Sequence, residues 1–335
     1  MVREIHKREG LLDIFSEIHR SQVGDKLRLE ITFAVDPTIE RLAAAFYMDG
    51  SDSMRQAGNY GRGGGLFFLG RRFNPVEAAM RVAVPYVAGK DANGKCRVAY
   101  WATGPEGRDV EVIGELTAEE AASYDFRGPK RFGGATYLLA AVRDFVAYIQ
   151  QLQAGGETIE AALAVVVTDG QFHDFDDVMD YTKELARAIM AGKFPRANFT
   201  VVGVGPAVDP EQMEALMHRA TPPEYTGREI WCYALADHIG DLPELVSHLV
   251  DENTPAFWGG AMVTDDAGKT LLTFEDMVPA VIEFEIPATA KSFTLTTGGK
   301  SYMQPLASIP AGHGGHDEEE EAAEQDHRPR RHGDH

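Results

Sequence analysis

The sequence predicts an α/β fold: a doubly wound, mostly parallel central sheet with helices on both faces, carrying a small β-rich appendage. Three observations lead there. From about residue 41, short apolar runs alternate with longer segments of helical periodicity, the pattern of βαβ units. Several of those runs, "AAAFYM", "ALAVVV" and "TVVGV", are almost wholly apolar, as strands buried on both faces must be. After about residue 253 the helical periodicity stops, and strand-like runs separated by turns remain.

The elements follow in order. Residues 3–20 place Ile5, Leu11, Leu12, Ile14, Phe15 and Ile18 at helical spacing, which predicts an amphipathic helix. In "KLRLEITFAV", residues 26–35, Leu27, Leu29, Ile31 and Phe33 alternate with polar partners, the mark of a half-buried strand. "RLAAAFYM", "CRVAYWAT", "ALAVVVT", "NFTVVGVG" and "EIWCYAL" read as the strands of the sheet. Between and after them, "NPVEAAMRVAVPYVAG", "ATYLLAAVRDFVAYIQQLQ", "FDDVMDYTKELARAIMAG", "DPEQMEALMHRA" and "DHIGDLPELVSHLV" read as helices. Asn74-Pro75 and Asp209-Pro210-Glu211 supply two helix starts, with proline at the first helical position. "FWGGAMVTDDAGKTLLTF", "AVIEFEIP" and "SFTLTTGG" form the appendage, and the strand at 26–35 is a candidate member of its sheet. The chain thus divides into an N-terminal helix-and-strand extension (1–40), the main α/β domain (41–252), the β-rich appendage (253–308) and an acidic, histidine-rich tail (309–335). That tail, which includes "HGGHDEEEEAAEQDHRPRRHGDH", has no apolar periodicity and is expected to be disordered.

Composition limits the function classes. With 335 residues and 44% hydrophobic content the chain can bury one large core and a satellite. Lysine and arginine number 32 against 52 acidic residues, a formal charge of −20 that repels a phosphate backbone and argues against nucleic-acid binding. The first twenty residues carry charges every few positions, unlike a secretory signal, and no apolar run reaches the roughly 18 residues of a membrane span. Cys96 and Cys232 fall in strand-like runs and read as reduced core residues. A cytoplasmic protein without a transmembrane segment is expected.

In a parallel α/β sheet the functional crevice lies beyond the carboxyl ends of the strands. There the chain presents Asp49, Ser51, Asp52 and Ser53 after "AFYM", Thr168 and Asp169 after "ALAVVV", and Thr136 from the loop "RFGGAT". Two carboxylates among neutral hydroxyls, with no cysteine or histidine in the motifs, suit Mg²⁺, Mn²⁺ or Ca²⁺ and fit Zn²⁺ poorly. Asp49, Ser51 and Ser53 alternate, so all three point one way, and Asp52 the other, if the loop stays extended.

D-x-S-x-S after an apolar strand, a threonine in a Gly-Gly loop and "TDG" after a later strand together resemble the metal-ion-dependent adhesion site of von Willebrand factor A (vWA) domains. The resemblance covers about residues 41–250, and "NPVEAAMR", "FGGATYLLAAV" and "VVVTDGQFHD" look most similar to the intracellular copine-type and tellurium-resistance-type branch. It departs from the pattern at Ala135, which separates Thr136 from the glycines. The resemblance implies a Rossmann-like fold in which Asp49, Ser51, Ser53, Thr136 and Asp169 hold a Mg²⁺-type ion, with Mn²⁺ or Ca²⁺ as substitutes. It further implies that an acidic side chain of a protein partner completes the coordination, without chemistry, in a setting akin to bacterial stress or tellurium resistance.

Other features compete for attention. "GNYGRGGGLFFLGRRF" lacks the Gly-Lys-Ser/Thr ending of a nucleotide loop. With Arg55, Arg62, Arg71 and Arg72 beside Phe67 and Phe68, it reads as a partner-binding loop for an acidic protein or as a solvated loop. "VVGVGPAVDP" lacks the third glycine of a dinucleotide fingerprint and reads as a strand-to-helix turn. His173 reads as a surface histidine rather than a ligand. A Mg²⁺-dependent phosphohydrolase is a weaker reading, because it typically needs a second carboxylate two residues after Asp49, where Ser51 stands. The remaining alternative is an assembly protein that meets partners through its β-rich ends, with an accessory metal site. The tail could bind transition metals through its histidines or serve only solubility.

Overall fold

The computed structural model describes residues 11–34, 41–61, 74–225, 229–253, 255–275 and 277–309. The chain divides into two units, one of Met1–Thr32, Ala261–Thr273 and Glu283–His335, the other of Phe33–Gly260 and Phe274–Ile282. The expected tail beyond Ile309 and all but Arg55 of the arginine- and phenylalanine-bearing set at 55–73 lie outside the described residues.

The opening helix is corrected. Residues 3–10 lie outside the described part, and Phe15–Val23 is a strand, β1, followed by β2, Lys26–Phe33. A two-residue turn, Gly24-Asp25, joins them, with Gly24 at φ 63°, a left-handed conformation that glycine adopts without strain. Pairing with β2 outweighs the weak helical periodicity, and Phe15 and Ile18 are both buried along a strand.

The larger unit is built on a six-stranded sheet. Its strands are β3 (Leu42–Asp49), β4 (Lys95–Thr103), β5 (Asp109–Thr117), β6 (Ala161–Thr168), β7 (Arg196–Val204) and β8 (Trp231–Ala236), in the order β5-β4-β3-β6-β7-β8. All neighbouring pairs are parallel except β4 with β5. Every residue of β3 and β6 is buried, which explains their unbroken apolar sequence. Along β3, Ala43, Ala45 and Tyr47 enter one core, whereas Leu42, Ala44, Phe46 and Met48 enter another.

Seven helices accompany the strands among the described residues. They are α1 (Asp52–Gln56), α2 (Pro75–Ala88), α3 (Ala118–Ser123), α4 (Leu138–Ala154), α5 (Phe175–Met190), α6 (Pro210–Arg219) and α7 (Leu242–Asn253). Helices α2 and α7 pack in the core with Phe46, and α4, α5 and α6 in the core with Tyr47, so both faces of the sheet are covered. The anticipated caps form: Asn74 Oδ1 accepts from the Glu77 N–H (3.1 Å) and Asp209 Oδ1 from the Glu211 N–H (2.9 Å).

After α7 come β9 (Pro255–Trp258), β10 (Ala261–Asp265), β11 (Thr270–Phe274), β12 (Met277–Pro279), β13 (Val281–Pro287), β14 (Ser292–Thr297) and β15 (Lys300–Pro305). They make a β11-β10-β14-β15 sheet, a β12-β9 pair and, with the chain's first strands, a β1-β2-β13 sheet. Strands from early and late sequence thus share one sheet. In the smaller unit, Phe293 on β14 packs edge-on against Phe15 and Phe284, with ring centroids 5.7 and 5.5 Å away.

Candidate metal centre

Winding in the large sheet reverses between β3 and β6: the chain leaves β3 for β4 on one side and returns to β6 on the other. Such a switch point opens a crevice at the carboxyl ends of the strands. Asp49 is the last residue of β3 and Thr168 the last of β6.

Asp49 is fully buried. Its Oδ1 accepts from the Ser51 N–H (2.7 Å) and its Oδ2 from the Thr168 hydroxyl (3.0 Å), while the Tyr60 hydroxyl donates to its main-chain carbonyl (2.5 Å). Ser51 and Ser53 share a hydrogen bond between their hydroxyls (2.8 Å), and Ser53 Oγ donates to Asp169 Oδ1 (2.7 Å). The oxygens therefore form a continuous chain from one carboxylate loop to the other.

This convergence does not arise as expected. The segment does not stay extended: Ser51 is the residue that leads into helix α1, and Ser53 lies in its first turn. A strand end followed at once by a helical turn brings the three side chains together instead. Asp52 is turned to other partners, as Arg55 pairs with it (2.6 Å) and the Gln56 amide donates to it (3.0 Å). Arg55 is further engaged over the Phe132 ring, 5.2 Å from its centroid.

The third loop is held against the first by main-chain bonds. Gly133 N–H donates to the Gly50 carbonyl (3.0 Å) and Asp52 N–H to the Gly133 carbonyl (2.8 Å). Only glycine fits there, because a Cβ on Gly133 would lie 2.1 Å from the Ala102 carbonyl oxygen. The loop delivers Thr136, whose Oγ1 would stand 3.8 Å from a Cβ placed on Gly170. Ser51, Ser53, Thr136 and Asp169 line one cleft of about 500 Å³, with Asp49 buried at the end of β3.

Three supporting residues escaped the sequence reading of the site: Thr168 as a donor to Asp49, Tyr60, and Asp174. Asp174 accepts from the Leu138 and Leu139 N–H groups (2.9 Å each), fixing the start of α4 behind Thr136. His173 is exposed, as expected, but it also positions Thr136: its Nδ1 accepts from the Thr136 N–H (3.1 Å) and its own N–H donates to the Thr136 carbonyl (2.9 Å). Thr168 is the first residue of "TDG" and visible in sequence, whereas main-chain bonding by Tyr60 and His173 leaves no signature there.

The electrostatics follow from burial. Asp49 is pushed up to about 7, first by desolvation and then by the charge of Asp169, against the pull of its bonds from Ser51 and Thr168. Asp169 is also raised by burial, with Ser53 opposing. Among the described residues no three His, Cys, Asp or Glu side chains converge as a metal-binding group. The candidate set instead holds two carboxylates and three hydroxyls. Its donors fit a hard divalent cation: ligand oxygens about 2.1 Å from a Mg²⁺ in an octahedron stand about 3.0 Å apart, and Ser53 Oγ lies 2.8 Å from Ser51 Oγ and 2.7 Å from Asp169 Oδ1. Among the described residues no lysine or arginine lines the cleft.

No family model matches the chain, and no curated protein does. Among solved structures, two of proximal thread matrix protein 1 (PTMP1) from the mussel byssus are similar at 13% identity, with TM-scores of 0.35 and 0.37. The matches cover 63% and 67% of this chain, which spans about half (48% and 49%) of those chains. Likeness at that level carries no argument about fold or function.

Proposed function

We propose that the chain is a vWA-type, divalent-metal-dependent protein-binding module. The observation that supports this reading is the meeting of Asp49, Ser51, Ser53, Thr136 and Asp169, from three separate loops, at the switch point of the sheet. A bound Mg²⁺, or Mn²⁺ or Ca²⁺ in its place, supplies an open coordination position for a partner's aspartate or glutamate. Asp49 and Asp169 contribute the charge, and the hydroxyls contribute neutral oxygens that leave the ion attractive to a further carboxylate. Thr168, Tyr60 and His173 hold the ligands in place. Ser51 stands where phosphoryl transfer typically needs a second carboxylate, and among the described residues no lysine lines the cleft, which favours capture. Cys96 and Cys232 remain thiols, in keeping with a cytoplasmic setting, and among the described residues no helix is long and apolar enough to cross a membrane.

Affinity purification with Mg²⁺ and again with EDTA tests the reading. Partners should be retained with Mg²⁺ and lost with EDTA or with Asp49→Ala; recovery of the same partners at the same yield from that variant overturns it.

A second reading has one observation in its favour. Met262 and Met303 are 40% and 60% exposed on one face of the β11-β10-β14-β15 sheet, opposite Thr296 and Thr294. Assembly through that face predicts partner capture that survives EDTA and fails with Met303→Lys.

A further inference from the structure

Beside the metal cleft the larger unit carries a second depression, about 770 Å³, between α4, α5 and the start of β5. The two share a wall: Thr136 and His173 line the metal cleft, and their chain neighbours Tyr137 and Asp174 line the groove. The proposed metal chemistry makes no use of it.

Two arginines against six carboxylates leave the lining of the groove acidic. Asp144 and Asp174 are committed, to Arg97 and to the main chain of α4. Three others form a ladder on α5. Asp177, Asp180 and Glu184 stand at positions i, i+3 and i+7 of that helix, so they share one face, and Tyr181, at i+4, lies between them. At 1.5 Å rise per residue the two steps of the ladder are about 4.5 Å and about 6 Å, in that order. All three acids are exposed. Asp177 and Glu184 pair with no cation among the described residues, and Asp180 pairs with Lys183 of the same helix (2.9 Å).

The groove is also aromatic and apolar. Tyr137 and Tyr181 each attract a guanidinium, Arg108 at 3.5 Å and Arg143 at 5.5 Å from the ring centroids, and α4 adds Leu139 and Ala140 to the lining. A ligand that matches must carry positive charges at the spacing of the ladder, be apolar between them and be slender enough to lie along a helix. A linear aliphatic triamine has that form, and its amines are protonated at neutral pH as that of lysine is. Bonds of about 1.5 Å at tetrahedral angles advance about 1.25 Å each in an extended chain. Ammonium groups joined by three methylenes therefore stand about 5 Å apart, and those joined by four about 6.2 Å, close to the two steps of the ladder. The methylenes suit a tyrosine ring and aliphatic side chains, as the stem of a lysine does. A metal ion or a lone lysine presents its charge at one point and meets one rung.

We propose that the groove between α4 and α5 binds a linear aliphatic triamine with arms of three and four carbons, its ammonium groups on Asp177, Asp180 and Glu184 and its methylenes along Tyr181. No rung of the ladder belongs to the ion's ligand set, so the proposal stands or falls apart from the metal reading.

Calorimetric titration of spermidine, the triamine with those two arms, into the metal-depleted full chain at low salt tests it. One saturable site is expected. Asp177→Asn with Glu184→Gln should weaken binding about tenfold or more, whereas neutralising two exposed acids elsewhere, Glu214→Gln with Glu244→Gln, should change it less than about threefold. Arg143→Gln, which removes a like charge beside Tyr181, should tighten it about threefold. Putrescine, the four-carbon diamine, meets one step of the ladder and should bind about tenfold more weakly. Asp49→Asn should leave spermidine binding unchanged; a loss there would put the amine in the metal cleft and overturn the proposal. So would the absence of a saturable site, equal binding to the chain with Asp177 and Glu184 neutralised, putrescine binding as tightly as spermidine, or a tri-lysine peptide binding more tightly.

Discussion

Asp49 is a carboxylate with no solvent exposure, close enough to Asp169 to feel its charge. Without a cation the folded chain holds the Asp49 proton more tightly than the unfolded chain does, since its pKa rises from 3.8 to about 7. The resulting contribution to stability is greatest at low pH, falls as pH rises from about 4 to about 7, and is flat above. A shift of that size corresponds to roughly 4 kcal/mol. Asp49→Asn removes the ionisation, so the ion-free variant should gain on the ion-free wild type steadily between pH 4 and 7, as urea midpoints at several pH values will measure. Because protons compete with the cation, Mg²⁺ affinity should in turn rise across the same window. The proposed ligands could be picked out in sequence because Asp49, Ser51, Ser53 and Asp169 follow closely on apolar strands and Thr136 stands just ahead of an apolar helix. Tyr60 was not, because it acts on a carbonyl group, which every residue has.

At the scale of elements, the site depends on how tightly three loops are joined. Gly133→Ala would drive a Cβ into the Ala102 carbonyl and separate the Thr136 loop from Ser51; a loss of about 3 kcal/mol is expected, together with loss of ion binding. Asp174→Ala leaves the Leu138 and Leu139 N–H groups without their acceptor at a partly buried helix start, at a cost of about 2 kcal/mol, measurable by denaturant unfolding. Central strands β3 and β6 declared themselves by unbroken apolar runs. The edge strand β5 and the first strand β1 did not, since both are stabilised on one side only and carry mixed sequence. For β1 the Gly24-Asp25 turn was the available signal, and helical spacing over residues 3–20 obscured it.

On the scale of the whole chain, alternation of strand and helix from residue 41 identified the large mixed sheet, and its loss after residue 253 identified the later β structure. The pairing of β2 with β13 joins residues some 250 positions apart, a relation that no local pattern encodes. On the proposed reading, an ion that binds the folded chain alone should stabilise the larger unit by linkage, by about 2.7 kcal/mol at a hundredfold excess over Kd, read as a rise in Tm. Titration calorimetry of Mg²⁺ into wild type, Asp49→Asn and Asp169→Asn chains at pH 7.5 tests the central claim most directly. One saturable site in the wild type and none in either variant is the predicted result; an equal heat of binding in the variants, or none in the wild type, would contradict it.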